Sequence, residues 1–101
     1  MIKRIVKMVF QEDKIERFLQ IFEESYPLIK AMKGCRYLEL LQSPEAPHIM
    51  FTISIWDSDR DLNAYRTSEL FQTTWSNTKI LFSDKAQAWT LHTISSIGDW
   101  R

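Results

Sequence analysis

Two aromatic side chains, Tyr65 and Trp75, stand ten positions apart in a segment that could line a ligand pocket. The segment, residues 55–75, reads IWDSDRDLNAYRTSELFQTTW. A tyrosine hydroxyl can donate a hydrogen bond to a substrate, and an indole ring can hold a flat ligand by stacking. The alternative is that these rings only pack into a core, as apolar residues at helical spacing usually do. The sequence leaves both interpretations open.

Histidine is the side chain best suited to proton transfer near neutral pH, and the chain has two, His48 and His92. Each stands alone in the sequence, where a structural or surface role is the ordinary alternative. His92 lies in the last predicted strand and His48 at the start of an earlier one. We take Tyr65 and His92 as the candidate catalytic residues.

Other familiar chemistries find no support in the sequence. There is no His-x-His pair, no paired cysteine and no cluster of carboxylates with histidine at ligand spacing. Gly34 and Gly98 are the two glycines, too far apart for a phosphate-binding loop. Cys35 is the single cysteine and begins an apolar run, so we expect a buried, unreactive thiol. We expect neither a metal site nor a cofactor site.

Composition predicts one packed domain over residues 1–101. The chain is 45% hydrophobic with 2 glycines and 3 prolines, which is unlike a disordered segment. Basic and acidic residues number 13 each, so the chain has no net positive charge that would attract nucleic acid or an anionic membrane. The N-terminus MIKRIVKMVF alternates apolar and basic residues, unlike a signal peptide, and no run approaches the ~20 apolar residues of a membrane span. We expect a cytoplasmic protein.

Alternation over residues 2–10 predicts a strand, and the period changes to that of a helix from Glu12. One face of the strand carries Ile2, Val6, Met8 and Phe10. The helix is expected to end near Gly34, with Pro27 kinking or splitting off its last turn. Its apolar stripe is Ile15, Phe18, Leu19, Phe22, Tyr26 and Ile29.

The rest of the chain predicts a hairpin, two short helices and a final strand. Residues 35–42 and 48–56 are the hairpin strands, joined by SPEAP at 43–47. Ser58 with Asp61 predicts the cap of a short helix through Tyr65. Thr67 and Ser68 recap a second helix, whose apolar stripe is Phe71, Trp75, Thr78 and Phe82. The last strand lies in KAQAWTLHTISSIGDW, residues 85–100, around Trp89, Leu91 and Thr93.

The element order β, α, β, β, α, β predicts an α+β fold, a ferredoxin-like antiparallel sheet of four strands with the helices on one face. The other sheet face is expected to be apolar, which usually marks a partner. We expect a homodimer that pairs sheet against sheet about a two-fold axis. The residues assigned to that face are Ile5, Val9, Met50 and Trp56, with either Trp89 and Leu91 or Ala88, His92 and Ile94 from the last strand.

Three features resemble the antibiotic biosynthesis monooxygenase domain of the dimeric α/β barrel superfamily. They are the Trp56-Asp57-Ser58 step from strand to helix, the Tyr65-Arg66-x-Ser68-x-x-Phe71 segment, and the N-terminal strand followed by an amphipathic helix. The resemblance covers essentially the whole chain. It implies two ferredoxin-like subunits with their sheets packed into a barrel, and one pocket per subunit between sheet and helices.

The resemblance also implies a function. Some members of the family oxygenate quinols or aromatic polyketides without metal, flavin or haem, because the ionised substrate itself reduces oxygen. We therefore expect a cofactor-independent monooxygenase acting on a quinol-like or phenolic metabolite. The alternative is a non-enzymatic dimer that binds a small apolar ligand or is purely structural. The residues expected to line the pocket, or to fill it in the structural alternative, are Phe18, Phe22, Phe71 and Trp75.

A second branch of the same family degrades haem, with a strand-one Asn, a Trp and, ten residues later, a His. Tyr65 stands at the Trp position here and Trp75 at the His position. The asparagines are Asn63 and Asn77, neither of which is in the first strand. An indole cannot replace imidazole as the axial ligand of haem iron. Haem degradation is therefore disfavoured.

Overall fold

Four strands and three α-helices follow one another in the predicted order in the computed structural model, which describes residues 1–98. A single 3₁₀ turn, Glu12–Lys14, precedes the first helix. Asp99 and Trp100, the end of the stretch predicted to hold the last strand, lie outside the described residues. The elements are β1 (Ile2–Val9), α1 (Ile15–Lys30), β2 (Cys35–Gln42), β3 (Ile49–Trp56), α2 (Asp59–Arg66), α3 (Glu69–Lys79) and β4 (Gln87–His92).

The sheet has the strand order β2-β3-β1-β4, and every neighbouring pair is antiparallel. In β1, Ile2 lies opposite both Trp56 of β3 and His92 of β4. The helices cover one face of the sheet, where β1 buries Ile2 and Met8. This confirms the predicted ferredoxin-like α+β fold.

Two clusters of buried side chains join the helices to the sheet. The alternation read from β1 is confirmed, because Ile2, Met8 and Phe10 are all buried on the helix-facing side. Each fully buried apolar side chain of this size contributes about 1.5–3 kcal/mol. One cluster is Met8, Phe10, Phe18, Ile21, Met50 and Leu81, and the other is Ile2, Cys35, Trp56 and Leu62.

The assignment of Met50 and Trp56 to the uncovered sheet face is wrong. Met50 is 1% exposed and Trp56 is 0% exposed, and both pack under the helices. The reason is that β3 carries large apolar side chains on both faces, so its sequence does not show which residues face inward. Pairing with β1 decides the question, since residues directly opposite in neighbouring strands share a face.

The same pairing places Trp89 and Leu91 of β4 on the uncovered face, with Ala88 and His92 on the helix-facing side. Trp89, for example, lies opposite Ile5. We call the uncovered side the outer face. Its apolar members are Ile5, Val9, Leu41, Ile49, Phe51, Ile53, Ile55, Trp89 and Leu91.

The helix α1 is continuous through Pro27 to Lys30, so the predicted separation of its last turn does not occur. Proline removes one backbone hydrogen bond, but its carbonyl still accepts from the Ala31 N–H at 3.1 Å. The chain then turns into β2 at Gly34, whose φ is +84°. A Cβ at this position would overlap the side chain of Asp61, so glycine is required both for the backbone and for space.

Side-chain caps begin both short helices, as predicted. The Ser58 Oγ accepts from the Asp61 N–H at 3.2 Å at the start of α2. The Ser68 Oγ accepts from the Phe71 N–H at 3.1 Å, and the Ser68 hydroxyl donates to the Tyr65 carbonyl at 2.6 Å. Ser68 therefore ties the end of α2 to the start of α3.

An ion pair holds the junction between β3 and α2 against the start of β2. The Arg36 guanidinium donates to both Asp57 carboxylate oxygens, at 2.6 and 3.0 Å. This hydrogen bonding holds the pKa of Asp57 below its ordinary value. No helix within residues 1–98 is long and apolar enough to cross a membrane.

Candidate functional site

A cavity of about 330 Å³ lies between the helix-facing side of the sheet and the helices α2 and α3. It is partly open to solvent and stands near the small end of the roughly 300–1,000 Å³ range of ligand pockets. Strands β1 and β3 form its floor. Its lining residues are Arg4, Val6, Met8, Ile29, Leu38, Thr52, Ser54, Trp56, Leu62, Tyr65, Arg66, Phe71, Trp75, Ala86, Gln87 and Ala88.

A continuous row of aromatic rings forms one wall of this cavity. Tyr65 stacks on Trp56 with ring centroids 5.1 Å apart and meets Phe71 edge-on at 5.2 Å. Phe71 in turn stacks on Trp75 at 5.9 Å, with the rings 10° from parallel. The Trp56 Nε1–H donates to the Ser54 Oγ at 3.0 Å, which fixes the first ring of the row. Such a wall suits a flat ligand.

The Tyr65 hydroxyl is available to a ligand. Within residues 1–98 it makes no hydrogen bond. Every buried side-chain oxygen or nitrogen among these residues has a hydrogen-bond partner, so the Tyr65 oxygen is not a buried atom. The hydroxyl therefore reaches the open space of the cavity. Burial, and to a smaller extent the nearby Cys35, raises the pKa of Tyr65 to about 12. At neutral pH the group is a neutral hydrogen-bond donor.

Two arginines give one part of the cavity a positive charge. Arg4 is half-buried on β1, and its Nη1 donates to the Thr90 Oγ1 at 2.7 Å. Arg66, the last residue of α2, is exposed. Burial, followed by repulsion from Arg66, lowers the pKa of Arg4. No aspartate or glutamate lines the cavity in the described part of the chain.

The structure brings together three of the residues singled out from the sequence. Tyr65, Phe71 and Trp75 lie side by side on the cavity wall. Phe18 and Phe22, also expected there, are not among the lining residues. Phe18 is buried against Phe10 with ring centroids 4.3 Å apart, and Phe22 packs against the same cluster.

The position of α1 explains this difference. Its phenylalanines lie over Met8 and Phe10 near the end of β1, whereas the cavity extends toward Arg4. The residue of α1 that lines the cavity is Ile29, nearer the C-terminal end of the helix. Helical spacing marks the buried face of α1 but not which part of that face borders open space.

Neither histidine lines the cavity. His92 is the last residue of β4 and is exposed, although it is on the helix-facing side opposite Ile2. His48 lies near Glu12, with its Nδ1 3.9 Å from the carboxylate. The proton-transfer role expected of His92 therefore has no geometric support at this cavity.

The two arginines are the functional candidates that the sequence reading missed. Arg4 shares a strand face with Ile2 and Val6, two positions away on either side. A charged residue within an otherwise apolar strand face is the signal that could have found it. Arg66 gives no comparable signal, since a basic residue at the end of a helix is ordinary.

Cys35 is buried and free, and burial raises the pKa of its thiol, as expected of an unreactive cysteine. In the described residues 1–98, no three side chains of His, Cys, Asp or Glu come together in a group that could hold a metal ion. The chemistry that the described cavity offers is therefore binding, hydrogen-bond donation and positive charge.

Solved structures share this fold at low sequence identity. The proposed antibiotic biosynthesis monooxygenase of Nitrosomonas europaea superposes with a TM-score of 0.87 at 16% identity, covering 94% of this chain and 100% of that one. The corresponding Bordetella bronchiseptica protein gives 0.81 at 21% identity, covering 93% and 97%. That of Caulobacter crescentus CB15 gives 0.87 at 15% identity, covering 93% and 90%.

No curated protein matches the chain in sequence. The family model described as antibiotic biosynthesis monooxygenase matches residues 1–75, from β1 into the helix that carries Phe71 and Trp75. The matched range thus includes most of the cavity lining. The chain belongs to the antibiotic biosynthesis monooxygenase family.

Proposed function

We propose that the protein is a monooxygenase that oxidises a quinol-like or phenolic aromatic molecule in this cavity without a cofactor. The observation that carries the proposal is a partly open cavity of about 330 Å³ with an aromatic wall and, on that wall, the Tyr65 hydroxyl, which has no hydrogen-bond partner within residues 1–98. Membership of the family and the similar proposed monooxygenases support it. A space filled by side chains would have favoured a purely structural role.

The chemistry needs only the substrate and dioxygen. An ionised quinol or phenol is electron-rich enough to reduce oxygen directly. One oxygen atom then joins a ring carbon, and the other leaves as water with two hydrogens from the substrate. The ring supplies all the electrons and becomes a quinone bearing the new oxygen. No external reductant enters the balance.

The residues of the cavity have three tasks in this reaction. Phe71 and Trp75 hold the ring, because their parallel faces offer flat apolar contact. Tyr65 donates a hydrogen bond to an oxygen of the substrate, since its raised pKa keeps the hydroxyl protonated. Apolar walls exclude water and so strengthen every such interaction.

A second candidate function is ligand binding without turnover. The observation that favours it is the absence of histidine, aspartate and glutamate from the described lining, so that no side chain there is an obvious base for the substrate proton. The two candidates differ in whether dioxygen is consumed. Both need the cavity and the aromatic wall.

Oxygen uptake separates these candidates. A panel of quinols, including dihydroxynaphthalene, would be tested in chelator-treated buffer against the rate without protein. The monooxygenase predicts protein-dependent uptake, reduced about 10- to 100-fold by Tyr65→Phe. Uptake that equals the spontaneous rate for every quinol would leave ligand binding as the function.

We also propose that the active form is a homodimer joined through the outer faces of two sheets. The outer face carries large apolar side chains on all four strands, including Phe51, Ile53 and Trp89. It also carries Lys3 and Lys7 on β1 and Glu39 on β2, so a two-fold axis can bring unlike charges together. Burial of such a face against a copy of itself removes a large apolar surface from water.

A further inference from the structure

The positive charge of the cavity has no counter-charge among the described residues that line it. Arg4 and Arg66 both border the cavity, and its described lining contains no carboxylate. Within residues 1–98, neither guanidinium takes part in a salt bridge. Asp57, just before the start of α2 and so at the opposite end of that helix from Arg66, is engaged by Arg36 at 2.6 Å.

Two neighbouring cations in a partly apolar cavity are unfavourable unless an anion joins them. Arg4 keeps a single side-chain hydrogen bond, to Thr90, which leaves other guanidinium N–H groups without a partner in residues 1–98. Repulsion from Arg66 adds to the effect of burial in lowering the pKa of Arg4. A bound oxyanion would relieve this repulsion and accept the remaining hydrogen bonds.

We propose that Arg4 and Arg66 form an anion-binding end of the cavity, and that its ligand is a small aromatic molecule carrying an ionised oxygen group, a carboxylate or a phenolate. The aromatic part lies along Phe71 and Trp75, and the oxygen group lies toward the guanidinium groups. The inference rests on the proposed function in taking this cavity as the substrate site. It adds the two arginines that hold the charged group of the ligand.

Binding of naphthalene derivatives tests this directly, in the absence of any reaction. Naphthoate is the anionic probe, and its methyl ester is the neutral probe of nearly the same shape. Binding is followed by quenching of tryptophan fluorescence or by calorimetry at low salt. Naphthol is the phenolic probe, and its absorbance shows whether the bound form is the phenolate.

Wild-type protein is expected to bind naphthoate at least about tenfold more tightly than the ester, as one charge-assisted hydrogen bond can provide. Arg66→Gln and Arg4→Gln are each expected to remove most of this preference. Arg60→Gln is the matched control, because Arg60 is an exposed arginine of the same helix α2 outside the cavity. Arg66 is also exposed, so its substitution should leave the fold intact.

The naphthol arm separates the two oxygen groups. A bound naphthol that ionises at a lower pH than free naphthol identifies a phenolate site. Preference for naphthoate without such a shift identifies a carboxylate site. Equal binding of naphthoate and ester, an unchanged preference in both cavity variants, or no saturable binding of either probe would overturn the proposal.

Failure of the proposed function is distinguishable from failure of this inference. Arginine-dependent naphthoate binding without oxygen uptake would keep the anion site and reject the monooxygenase. If oxygen uptake with a quinol is the same in wild type, Arg4→Gln and Arg66→Gln, the monooxygenase is kept and the anion site is rejected.

Discussion

At the scale of single residues, the environment of Tyr65 decides what its hydroxyl can do. The ring is held between Trp56 and Phe71, so the group has a fixed position on the cavity wall. Its raised pKa makes it a donor, not a base, across the physiological pH range. Tyr65 therefore does not accept the proton of a substrate. That proton must go to solvent, or its loss must be favoured by the positive charge of the nearby arginines.

The pH dependence of stability is the first prediction. The pKa of Tyr65 rises from 10.0 to about 12 on folding, so the unfolded chain ionises first. The contribution is fully present below pH 10 and is lost as the pH rises to about 12. We expect Tyr65 to account for about 2 kcal/mol of the free energy of unfolding lost over this window, allowing for solvent near the hydroxyl.

Urea unfolding at pH 9 and near pH 12 measures this difference. Tyr65→Phe should lose less stability than wild type over the window, since phenylalanine does not ionise. Tyr26→Phe is the control, because Tyr26 is exposed on α1. Equal losses for wild type and Tyr65→Phe would show that burial does not perturb this hydroxyl.

The residue-level chemistry was only partly predictable. Tyr65, Phe71 and Trp75 follow from aromatic spacing on two capped helices, and all three line the cavity. The positions of Arg4 and His92 relative to the cavity depend on which strand lies at the edge of the sheet and on where α1 stops covering it. A charge on an otherwise apolar strand face marks Arg4 as unusual, but the place of either residue relative to the cavity is set by long-range pairing, which no local pattern in the sequence encodes.

At the scale of elements, the caps between short helices determine the shape of the aromatic wall. Ser68 bonds to the backbone of both Tyr65 and Phe71. It therefore fixes the angle at which α2 meets α3, and with it the edge-on contact of the two rings.

Ser68→Ala is the second prediction. Loss of a serine N-cap costs about 1 kcal/mol of stability. Because the same hydroxyl positions the wall, we also expect weaker binding of naphthoate. Ser76→Ala, at an exposed position inside α3, should change the free energy of unfolding by less than about 0.5 kcal/mol. Equal effects of the two changes on unfolding would contradict the role of the cap.

Gly34→Ala is the third prediction. Alanine at a φ of +84° is strained, and the added methyl group would overlap Asp61. We expect a loss of more than about 2 kcal/mol in the free energy of unfolding, measured by thermal or urea denaturation. Gly98→Ala is the matched comparison, because its φ is +77° and nothing lies within 4 Å of the added group. A Gly34→Ala protein as stable as Gly98→Ala would refute the steric argument.

Element boundaries were predictable where the pattern was clear. The strand β1 alternates and the caps Ser58 and Ser68 are local signals, so the elements they define were found. The inward face of β3 was not predictable, because HIMFTISIW places apolar residues on both faces of the strand. An outer face rich in apolar side chains makes a strand look like one buried on both sides.

At the scale of the whole molecule, the outer face should determine the oligomeric state. Ile53 lies near its centre, opposite Ile5 on one side and Glu39 on the other. The fourth prediction is that wild type has twice the 12.0 kDa mass of the chain by light scattering, and that Ile53→Glu has the mass of one chain. A charge at the centre of an apolar interface loses its water without gaining a partner.

Leu28→Glu is the control for this experiment. Leu28 is 58% exposed on α1, away from the outer face, and undergoes the same chemical change. It should leave the mass doubled. A wild-type particle of a single chain mass, or a doubled mass that persists in Ile53→Glu, would contradict the proposed dimer.

The proposed monooxygenase splits dioxygen in the cavity, and one oxygen atom enters the substrate. The most direct measurement is the mass of the product formed from a quinol under isotopically labelled dioxygen. We predict one labelled atom per product molecule with wild-type protein, and about 10- to 100-fold slower formation of that product with Tyr65→Phe. Unlabelled quinone, formed equally with and without protein, would contradict the account.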